Sequence, residues 1–319
     1  MKQHKKLNPD NEVTEMPLKD CDNSYGYCEW IKGSNDYYTP TEKIQIVKKL
    51  PAGLYDFVWN NRNNCYDFIK KTLNLDELLN LPNPVFEQIL NDVKYFWNNQ
   101  AKFEKYKFAY KRGILLYGIA GAGKTSLTAL LSDTIINEMD GLVFSIKNHR
   151  DLEAYQVAIP SFLRRIEPNT PILTLMEDLD GLANNPETET MLLNVLDGFN
   201  QSNNIVNIGC TNYPERLKDR ILNRPSRFDK RYYIGLPDAT VRKFYFVNKI
   251  HSDDVKNIDI DEMVLKTEGL TISHLGELIK SVFIFGKGMD ESIKELKDMK
   301  EYISSTKFET SKKLTGFGN

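Results

Sequence analysis

One stretch of the chain, RGILLYGIAGAGKT over residues 112–125, constrains the fold more than any other. An apolar run, Ile114–Tyr117, leads into a glycine-rich loop that ends in Gly-Lys-Thr, and a helical pattern follows over 126–136. This is the pattern of a phosphate-binding loop, which needs a strand before it and a helix after it. The sequence therefore predicts an α/β domain that binds the phosphates of a nucleotide.

The predicted phosphate site is a run of nine residues. Its glycines let backbone N–H groups turn toward a phosphate, and the start of the following helix adds the positive end of its dipole. We expect Lys124 to reach the terminal phosphates and the Thr125 hydroxyl to hold Mg²⁺. An ordinary glycine turn is the alternative, and Lys-Thr directly after the last glycine disfavours it. The nine residues are Gly118, Ile119, Ala120, Gly121, Ala122, Gly123, Lys124, Thr125 and Ser126.

Charge and hydropathy narrow the class of protein. The chain of 319 residues has 42 basic and 44 acidic residues, a net charge of -2, and so no electrostatic footprint for nucleic acid over the whole molecule. No apolar run of about 18 residues occurs, and the N-terminal residues are polar, which predicts a cytoplasmic protein without a membrane partner. The four cysteines lack paired zinc-site spacing and are expected to be free thiols.

Changes of pattern along the chain predict five segments. Residues 1–34 are polar and predict a flexible arm, and 35–80 predict a small β-rich accessory module of three short strands. Apolar strands alternate with helical patterns over 81–238, which predicts an αβα nucleotide-binding domain with a parallel sheet. Helical segments over 239–303 predict a helical lid, and 304–319 a flexible tail.

The hydrophobic pattern also predicts individual elements. Apolar residues spaced three and four apart predict one helix over 84–103, before the phosphate loop. Short apolar runs and helical patterns then alternate. The predicted strands are 142–146, 172–176, 205–210 and 232–234; the predicted helices are 152–166 and 188–197, with lid helices at 239–251, 259–267, 273–286 and 290–303.

An acidic strand end, in ILTLMEDLD over 172–180, is the second chemical signal. Glu177 and Asp178 follow an apolar run, and ligands bind at the carboxyl ends of strands in such sheets. One carboxylate suits the orientation of Mg²⁺ through its water shell, and the other suits proton removal from an attacking water. A solvated strand end is the alternative, and the nearby phosphate loop disfavours it.

A third segment, TNYPERLKDRILNRPSRFDKRYYIGLPD over 211–238, makes a family recognisable. Over about residues 84–288 the chain resembles the AAA group of the AAA+ ATPases, through GIAGAGKT, LTLMED, the Thr-Asn pair and LKDRILNRPSRFDK. The order Glu-Asp, the phrase LLNVLDGFN and the residues TNYPERL are most similar to the Bcs-type subgroup. No transmembrane segment accompanies them, so the membrane role of that subgroup is not expected here.

The resemblance implies roles for five residues. It places Glu177 at the metal position, Asp178 at the position of the catalytic base and Asn212 at the sensor that orients the attacking water. It makes Arg224 and Arg227 the arginine fingers, which act on nucleotide held by a neighbouring subunit, although two ordinary surface arginines are the alternative. It further implies ATP and Mg²⁺ as cofactors and a homo-oligomeric ring, usually a hexamer.

The sequence departs from the family at four places. Ile119-Ala120 replace the two usual prolines, and Ser226 replaces a glycine between the two arginines. Asp178 is one methylene shorter than the usual glutamate, which predicts slow turnover. His274, at the start of the predicted lid helix, brings no arginine to the phosphates and is a nucleotide neighbour or a packing residue.

The sequence alone leaves three hypotheses about what the ATP cycle acts on. The closest candidate for the family's pore loop is Tyr155-Gln156-Val157, in which Tyr155 either grips a polypeptide or packs inside the protein. Remodelling or translocation of a protein client is the first hypothesis, because the charge is balanced and no aromatic-interleaved basic stripe was identified. A nucleic-acid motor or loader is the second, and a nucleotide-gated scaffold with slow hydrolysis is the third. The basic residues available to the second hypothesis are Lys147, Arg150, Arg164 and Arg165.

Overall fold

The computed structural model describes residues 29–32, 38–41, 48–62, 64–73, 79–197, 203–224, 226–255 and 258–299, which fall in two compact units, 1–50 and 51–319. In the first unit, strands β1 (Glu29–Lys32) and β2 (Tyr38–Thr41) form an antiparallel pair. β1 lies inside the predicted flexible arm, so that prediction is wrong for these four residues, in which Trp30 and Ile31 favour a strand. The rest of the arm, the strand predicted near Ile44 and the tail 304–319 lie outside the described residues.

The second unit contains a sheet and helices in the predicted alternation. Its strands are β3 (Gly53–Asn60), β4 (Cys65–Lys71), β5 (Lys111–Gly118), β6 (Leu142–Ile146), β7 (Ile172–Met176), β8 (Ile205–Thr211) and β9 (Lys230–Ile234). Its first helices are α1 (Pro84–Trp97), α2 (Gln100–Lys105), α3 (Lys124–Met139), α4 (His149–Ala158), α5 (Arg164–Ile166), α6 (Leu179–Leu182), α7 (Pro186–Asp197) and α8 (Asp219–Leu222). The lid helices are α9 (Ala239–Lys249), α10 (Ser252–Val255), α11 (Ile260–Lys266), α12 (Ile272–Ile279) and α13 (289–299).

The described strands form a seven-stranded sheet in the order β4-β3-β6-β7-β8-β5-β9, parallel except for the antiparallel pair β3–β4. The mixed α/β fold with a mostly parallel sheet is the predicted one. The connections between strands change direction at β5. After β5 the chain crosses past β8 and β7 to form β6, whereas the last strand, β9, lies on the opposite side of β5. Ligands bind at such a switch point, outside the carboxyl ends of the strands.

Burial explains why the central strands have nearly continuous apolar sequences. Every residue of β7 and β8 is buried, as expected for parallel strands covered on both faces. Successive side chains of β6 point to opposite faces of the sheet: Val143 joins the core that contains α1 and α3, and Phe144 stacks on Phe57 of β3 and meets Tyr155 of α4 edge-on. None of the helices in the described ranges combines the length and apolar character needed to cross a bilayer.

The helix predicted over 84–103 is interrupted. α1 begins where the Asn83 side chain accepts a hydrogen bond from Val85 N–H, with Pro84 in its first turn. It ends at Trp97, and two asparagines, Asn98 and Asn99, separate it from α2, because short polar side chains favour caps and turns over helix interiors. The chain then turns into β5.

The predicted accessory module is not separate from the sheet. Strand β3 pairs in parallel with β6, with Gly53 opposite Leu142, and β4 pairs with β3. Phe57 stacks on Phe144 of β6 with ring centroids 5.0 Å apart. The β hairpin over 53–71 therefore extends the main sheet, so the predicted boundary near residue 80 does not separate these strands from the nucleotide-binding domain.

The helices after β9 enclose a core of their own. Phe246, Met263 and Leu275, from α9, α11 and α12, are fully buried in one apolar cluster with Ile293 and Leu296. The predicted lid helices are present at these places, and the third of them continues from α12 into a π-helical turn, Lys280–Ile284. Arg242 holds α9 against α11 by donating to the Val264 carbonyl oxygen at 3.1 Å.

Tyr155 lies inside the protein and not in a pore loop. It is 4% exposed within α4, and its hydroxyl bonds the Thr174 hydroxyl at 2.7 Å. The connection from β6 to α4 consists only of Lys147 and Asn148, and Asn148 caps the helix. The pore-loop interpretation of Tyr155 is therefore wrong, because amphipathic helix packing turns this ring toward the sheet.

We expect Tyr155→Ala to lower the free energy of unfolding by about 3–5 kcal/mol, the usual cost of deleting a buried aromatic ring. Val157→Ala is the matched control, because Val157 lies on the exposed side of the same helix and its loss should cost less than about 0.5 kcal/mol. Urea unfolding of both variants measures the difference. Equal stability of Tyr155→Ala and the parent would contradict the buried position.

Candidate nucleotide site

A cavity of about 240 Å³ lies at the carboxyl ends of the three adjacent strands β5, β8 and β7. Each strand continues into one predicted signal: the phosphate loop follows β5, Glu177 and Asp178 follow β7, and Asn212 follows β8. The structure thus brings the three signals together. The cavity is lined by Gly121, Gly123, Lys124, Thr125, Ser126, Glu177, Asp178, Cys210, Thr211, Asn212, Ile272 and Ser273.

The phosphate loop has the backbone conformation that its glycines permit. Gly121 and Gly123 have φ values of 75° and 105°, a region that residues with a Cβ rarely adopt. α3 begins directly after Gly123, so its first N–H groups face the cavity. Lys124 is buried and its Nζ donates to the carbonyl oxygens of Gly118 and Ile119 at 2.8 and 2.9 Å. Burial lowers the pKa of Lys124 below 10.5, and the charge of Asp178 opposes this shift.

The two acidic residues at the end of β7 differ in backbone position and conformation. Glu177 directly follows the strand, whereas Asp178 has φ 50° and ψ 50°, the left-handed conformation, and starts the short helix α6. Aspartate and asparagine tolerate this conformation better than longer side chains do. Strained backbone of this kind clusters at functional sites. The conformation gives a physical reason for aspartate, and not glutamate, at residue 178.

Hydrogen bonds that the sequence did not predict join Thr211, the residue before Asn212, to the acidic end of β7. The Thr211 hydroxyl donates to Asp180 Oδ1 at 2.6 Å and accepts from Tyr213 N–H at 2.9 Å. Arg216 lies 3.7 Å from Asp180 and stacks on the Tyr213 ring. These contacts hold the residues on both sides of Asn212 next to the turn that follows β7, and Asn212 and Asp178 line the same cavity.

The lid reaches the phosphate loop through the start of α12. Ser273 N–H donates to Gly121 O at 3.1 Å, and a Cβ at Gly121 would collide with the Ser273 side chain. His274 helps to cap the helix, since its Nδ1 accepts a hydrogen bond from Thr271 N–H at 3.2 Å. Ile272 and Ser273 are lining residues that the sequence analysis did not identify, because the lid helix meets the loop only in the folded chain.

Cys210 is a buried thiol at the base of the cavity, as its apolar surroundings predicted. Burial raises its pKa to about 12, and the neighbouring carboxylates of Glu177 and Asp178 add to the effect. The thiol is therefore protonated at neutral pH, and its role here is to pack beneath the site.

The two predicted arginine fingers have different surroundings, and neither lines the cavity. Arg227 is 6% exposed, and it donates to both oxygens of Asp197 at 2.9 and 2.8 Å and to the Arg220 carbonyl oxygen. Arg224 is exposed and makes one contact of 3.2 Å with Asp197. Bidentate pairing holds Arg227 in place, whereas Arg224 is the more accessible guanidinium.

The segment before these arginines is anchored to α7. Glu189 is fully buried and pairs with Lys218 at 2.7 Å and with Arg220. The hydrogen bond from Arg220 is the main reason that the pKa of Glu189 falls to about 2. These two ion pairs fix residues 218–220, which lead into the turn that carries Arg224 and Arg227.

The donor set fits a nucleotide with Mg²⁺. Backbone N–H groups and Lys124 suit phosphate oxygens, and the Thr125 hydroxyl and the Glu177 carboxylate provide hard oxygen ligands. Mg²⁺ in such sites needs only one or two protein ligands beside the phosphates. The fold and the site define a P-loop nucleotide-binding protein with a helical lid.

Comparison with known proteins gives one matching family model and several relatives. The family model described as ATPase family associated with various cellular activities (AAA) matches residues 114–236. A putative cell division cycle ATPase of Plasmodium falciparum is 29% identical over 67% of this chain and 18% of its own length. ATP-dependent zinc metalloprotease FtsH 2 of Thermoanaerobacter is 28% identical over 62% of this chain and 41% of its own length. The human ATPase family gene 2 protein homolog A is 30% identical over 49% of this chain and 19% of its own length.

Residues 114–236 of the chain form an AAA-type ATPase domain. The matched residues run from β5 to β9 and contain the phosphate loop, the acidic strand end, Asn212 and both arginines. The chain spans less than half of the length of each of these three relatives, so the match concerns the ATPase domain.

Proposed function

We propose that the chain hydrolyses ATP within an assembly of copies, in which each nucleotide site is completed by an arginine of the neighbouring subunit. One observation carries this proposal. The cavity collects Lys124, Glu177, Asp178 and Asn212, yet none of its described lining residues is an arginine. Phosphoryl transfer depends on stabilising the charge of the transferred group, which a second subunit can supply.

The residues of one chain divide the chemistry among them. Lys124 and the loop N–H groups hold the phosphates, and Thr125 and Glu177 hold Mg²⁺, which offsets phosphate charge when bound. Asp178 accepts a proton from the attacking water, and the Asn212 amide orients that water. The left-handed turn at the end of β7 sets the position of Asp178 relative to Glu177.

Arg224 is the residue that we assign to the neighbouring site, because its side chain is exposed. Arg227 has a positioning role, because its two hydrogen bonds to Asp197 fix the turn from which Arg224 projects. This assignment revises the sequence-based one, which gave the two arginines the same role.

ATP-driven remodelling of a protein client is the proposed work of the assembly. Two of the three relatives above are named only as ATPases, and the third is named as an ATP-dependent metalloprotease, which supports a protein client. The two-residue connection between β6 and α4 argues against a gripping loop at that place. The client therefore engages another surface. A scaffold with slow hydrolysis remains the second hypothesis, and the short base Asp178 favours it.

The particle mass tests the assembly. Mass photometry of the parent chain without nucleotide, with ADP and with ATP should show a multimer, six copies by family analogy, that ATP stabilises. The hydrolysis rate per chain should rise with protein concentration, because each site needs an arginine from a neighbouring subunit. A monomer that hydrolyses ATP at the same rate per chain at every concentration would refute the proposal.

A further inference from the structure

A second polar cavity lies at the other end of the sheet from the nucleotide cavity. It measures about 400 Å³ and opens where the chain enters β5, β7 and β8, at the amino ends of these strands. Its position separates it from the ATPase chemistry. It is lined by Gln100, Glu104, Phe108, Tyr110, Pro160, Arg164, Pro168, Asn169, Asn203 and Asn204.

Two buried polar atoms at this cavity lack partners. Asn204 is 6% exposed, and its Oδ1 has no hydrogen-bond donor among the described residues. The amide orientation is fixed, because Nδ2 donates to Asn169 O at 2.6 Å. Arg164 Nε is likewise without an acceptor within the described ranges, although the guanidinium donates to Thr170 O at 2.6 Å. Neither atom is reached by solvent, so the two unpaired groups lie behind the cavity wall, and the polar side chains on its open surface are those of Gln100, Asn169 and Asn203.

The rim of the cavity presents two aromatic rings on a fixed turn. Phe108 and Tyr106 are 72% and 65% exposed, and Phe108 also lines the cavity. Between them, Lys107 has φ 58°, the left-handed conformation that usually selects glycine. Phe108 N–H closes the end of α2 by donating to Phe103 O at 3.0 Å. Hydrogen bonds hold the backbone of the turn, so both exposed rings project from a fixed backbone.

Lysines surround these rings. Lys102 lies over the ring of Tyr95, which is 62% exposed, and Lys105 lies over the ring of Tyr106. No carboxylate among the described residues forms an ion pair with Lys102, Lys105 or Lys107. We name these six residues, Tyr95, Lys102, Lys105, Tyr106, Lys107 and Phe108, the aromatic–lysine patch.

We propose that the aromatic–lysine patch and the adjoining cavity bind single-stranded nucleic acid. Unpaired bases stack on the exposed rings, and the lysines meet the phosphate backbone. One base enters the cavity, where the side-chain amides of Gln100, Asn169 and Asn203 offer donors and acceptors to its edge. Binding at this site does not require ATP hydrolysis, so it goes beyond the proposed function.

Single strands fit this surface better than duplexes or acidic polypeptides do. A duplex offers phosphates, but its stacked bases cannot cover exposed rings. An acidic polypeptide satisfies the lysines, but it has no flat ring faces for Tyr106 and Phe108. The sequence analysis missed this stripe, because aromatic residues that face the core, such as Phe96 and Phe103, alternate with those that face solvent.

Fluorescence anisotropy with labelled oligo(dT) and oligo(rU) of about 20 nucleotides tests the proposal, and a duplex and poly-glutamate of similar length serve as competitors. Tyr106→Ala/Phe108→Ala should weaken single-strand binding about tenfold or more. Phe285→Ala is the matched control, since this ring is equally exposed on the lid. The Lys124→Ala variant should bind single strands as the parent does, which separates this site from the ATPase.

Salt dependence gives a second readout. Lys102→Gln/Lys105→Gln/Lys107→Gln should make the slope of log affinity against log salt shallower by about 2, since each phosphate contact on a single strand contributes about 0.7. Lys294→Gln/Lys297→Gln, at exposed lid positions, should leave the slope unchanged. Tighter binding of poly-glutamate or duplex than of either single strand would overturn the proposal, as would unchanged binding by the Tyr106/Phe108 variant. A preference between oligo(dT) and oligo(rU) identifies which single strand is bound.

Discussion

Asp178→Asn is expected to reduce ATP hydrolysis at least about 100-fold while ATP affinity stays close to that of the parent chain, because a general base contributes roughly 10²–10⁴ to the rate. Asparagine keeps the size of the side chain and tolerates the φ of 50° at this position, so the turn into α6 should persist. Single-turnover hydrolysis and equilibrium binding of labelled ATP measure the two effects separately.

Glu177→Gln is the matched comparison, because it removes the other carboxylate at the same strand end. We expect it to raise the Mg²⁺ concentration needed for half-maximal hydrolysis and to leave more residual hydrolysis than Asp178→Asn at saturating Mg²⁺. Normal hydrolysis by Asp178→Asn together with loss in Glu177→Gln would reverse the two assignments. Asp178→Glu, which restores the family's usual base, should not raise the rate, since glutamate is less suited to the left-handed conformation.

The parts of the fold that local sequence determines were predictable. The phosphate loop fixes a strand, a turn and a helix within one short segment, and β5 and α3 lie where that pattern places them. The strands β6, β7 and β8 were also predictable, because burial on both faces demands uninterrupted apolar runs. Convergence of their carboxyl ends follows from the parallel sheet.

Pairing between distant segments was not predictable from local pattern. The hairpin β3–β4 shows ordinary strand signals, but nothing in residues 53–71 specifies that Gly53 pairs beside Leu142. The same limit applies to Ser273, which meets Gly121 only after the lid folds over the loop. Such contacts depend on the register of the whole sheet, which periodicity does not contain.

Side-chain environment was the other missing information. Arg224 and Arg227 lie three residues apart in one motif, yet only Arg227 is enclosed by a bidentate pair with Asp197. Tyr155 had the composition of a gripping residue and became a core residue, because α4 turns it toward Phe144. In each case the sequence supplied the residue type, and packing decided its surroundings.

Arg224→Ala carries the second large expected effect. It should bind ATP like the parent chain, because Arg224 does not line its own cavity, but it should lose hydrolysis about 10³-fold or more, the usual contribution of an arginine finger. Arg227→Ala should lose both activity and stability, since it leaves Asp197 without its bidentate partner. Thermal unfolding of the two variants distinguishes these roles.

Mixing two inactive variants tests the shared site most directly. Lys124→Ala subunits cannot hold nucleotide but retain Arg224, and Arg224→Ala subunits hold nucleotide but lack the arginine. If each site joins two chains, the mixture should regain a substantial part of the parent hydrolysis rate, and Lys124→Ala/Arg224→Ala subunits added instead should restore none. A mixture that stays as inactive as its separate components, although mass photometry shows mixed assemblies, would contradict a site completed by the neighbouring subunit.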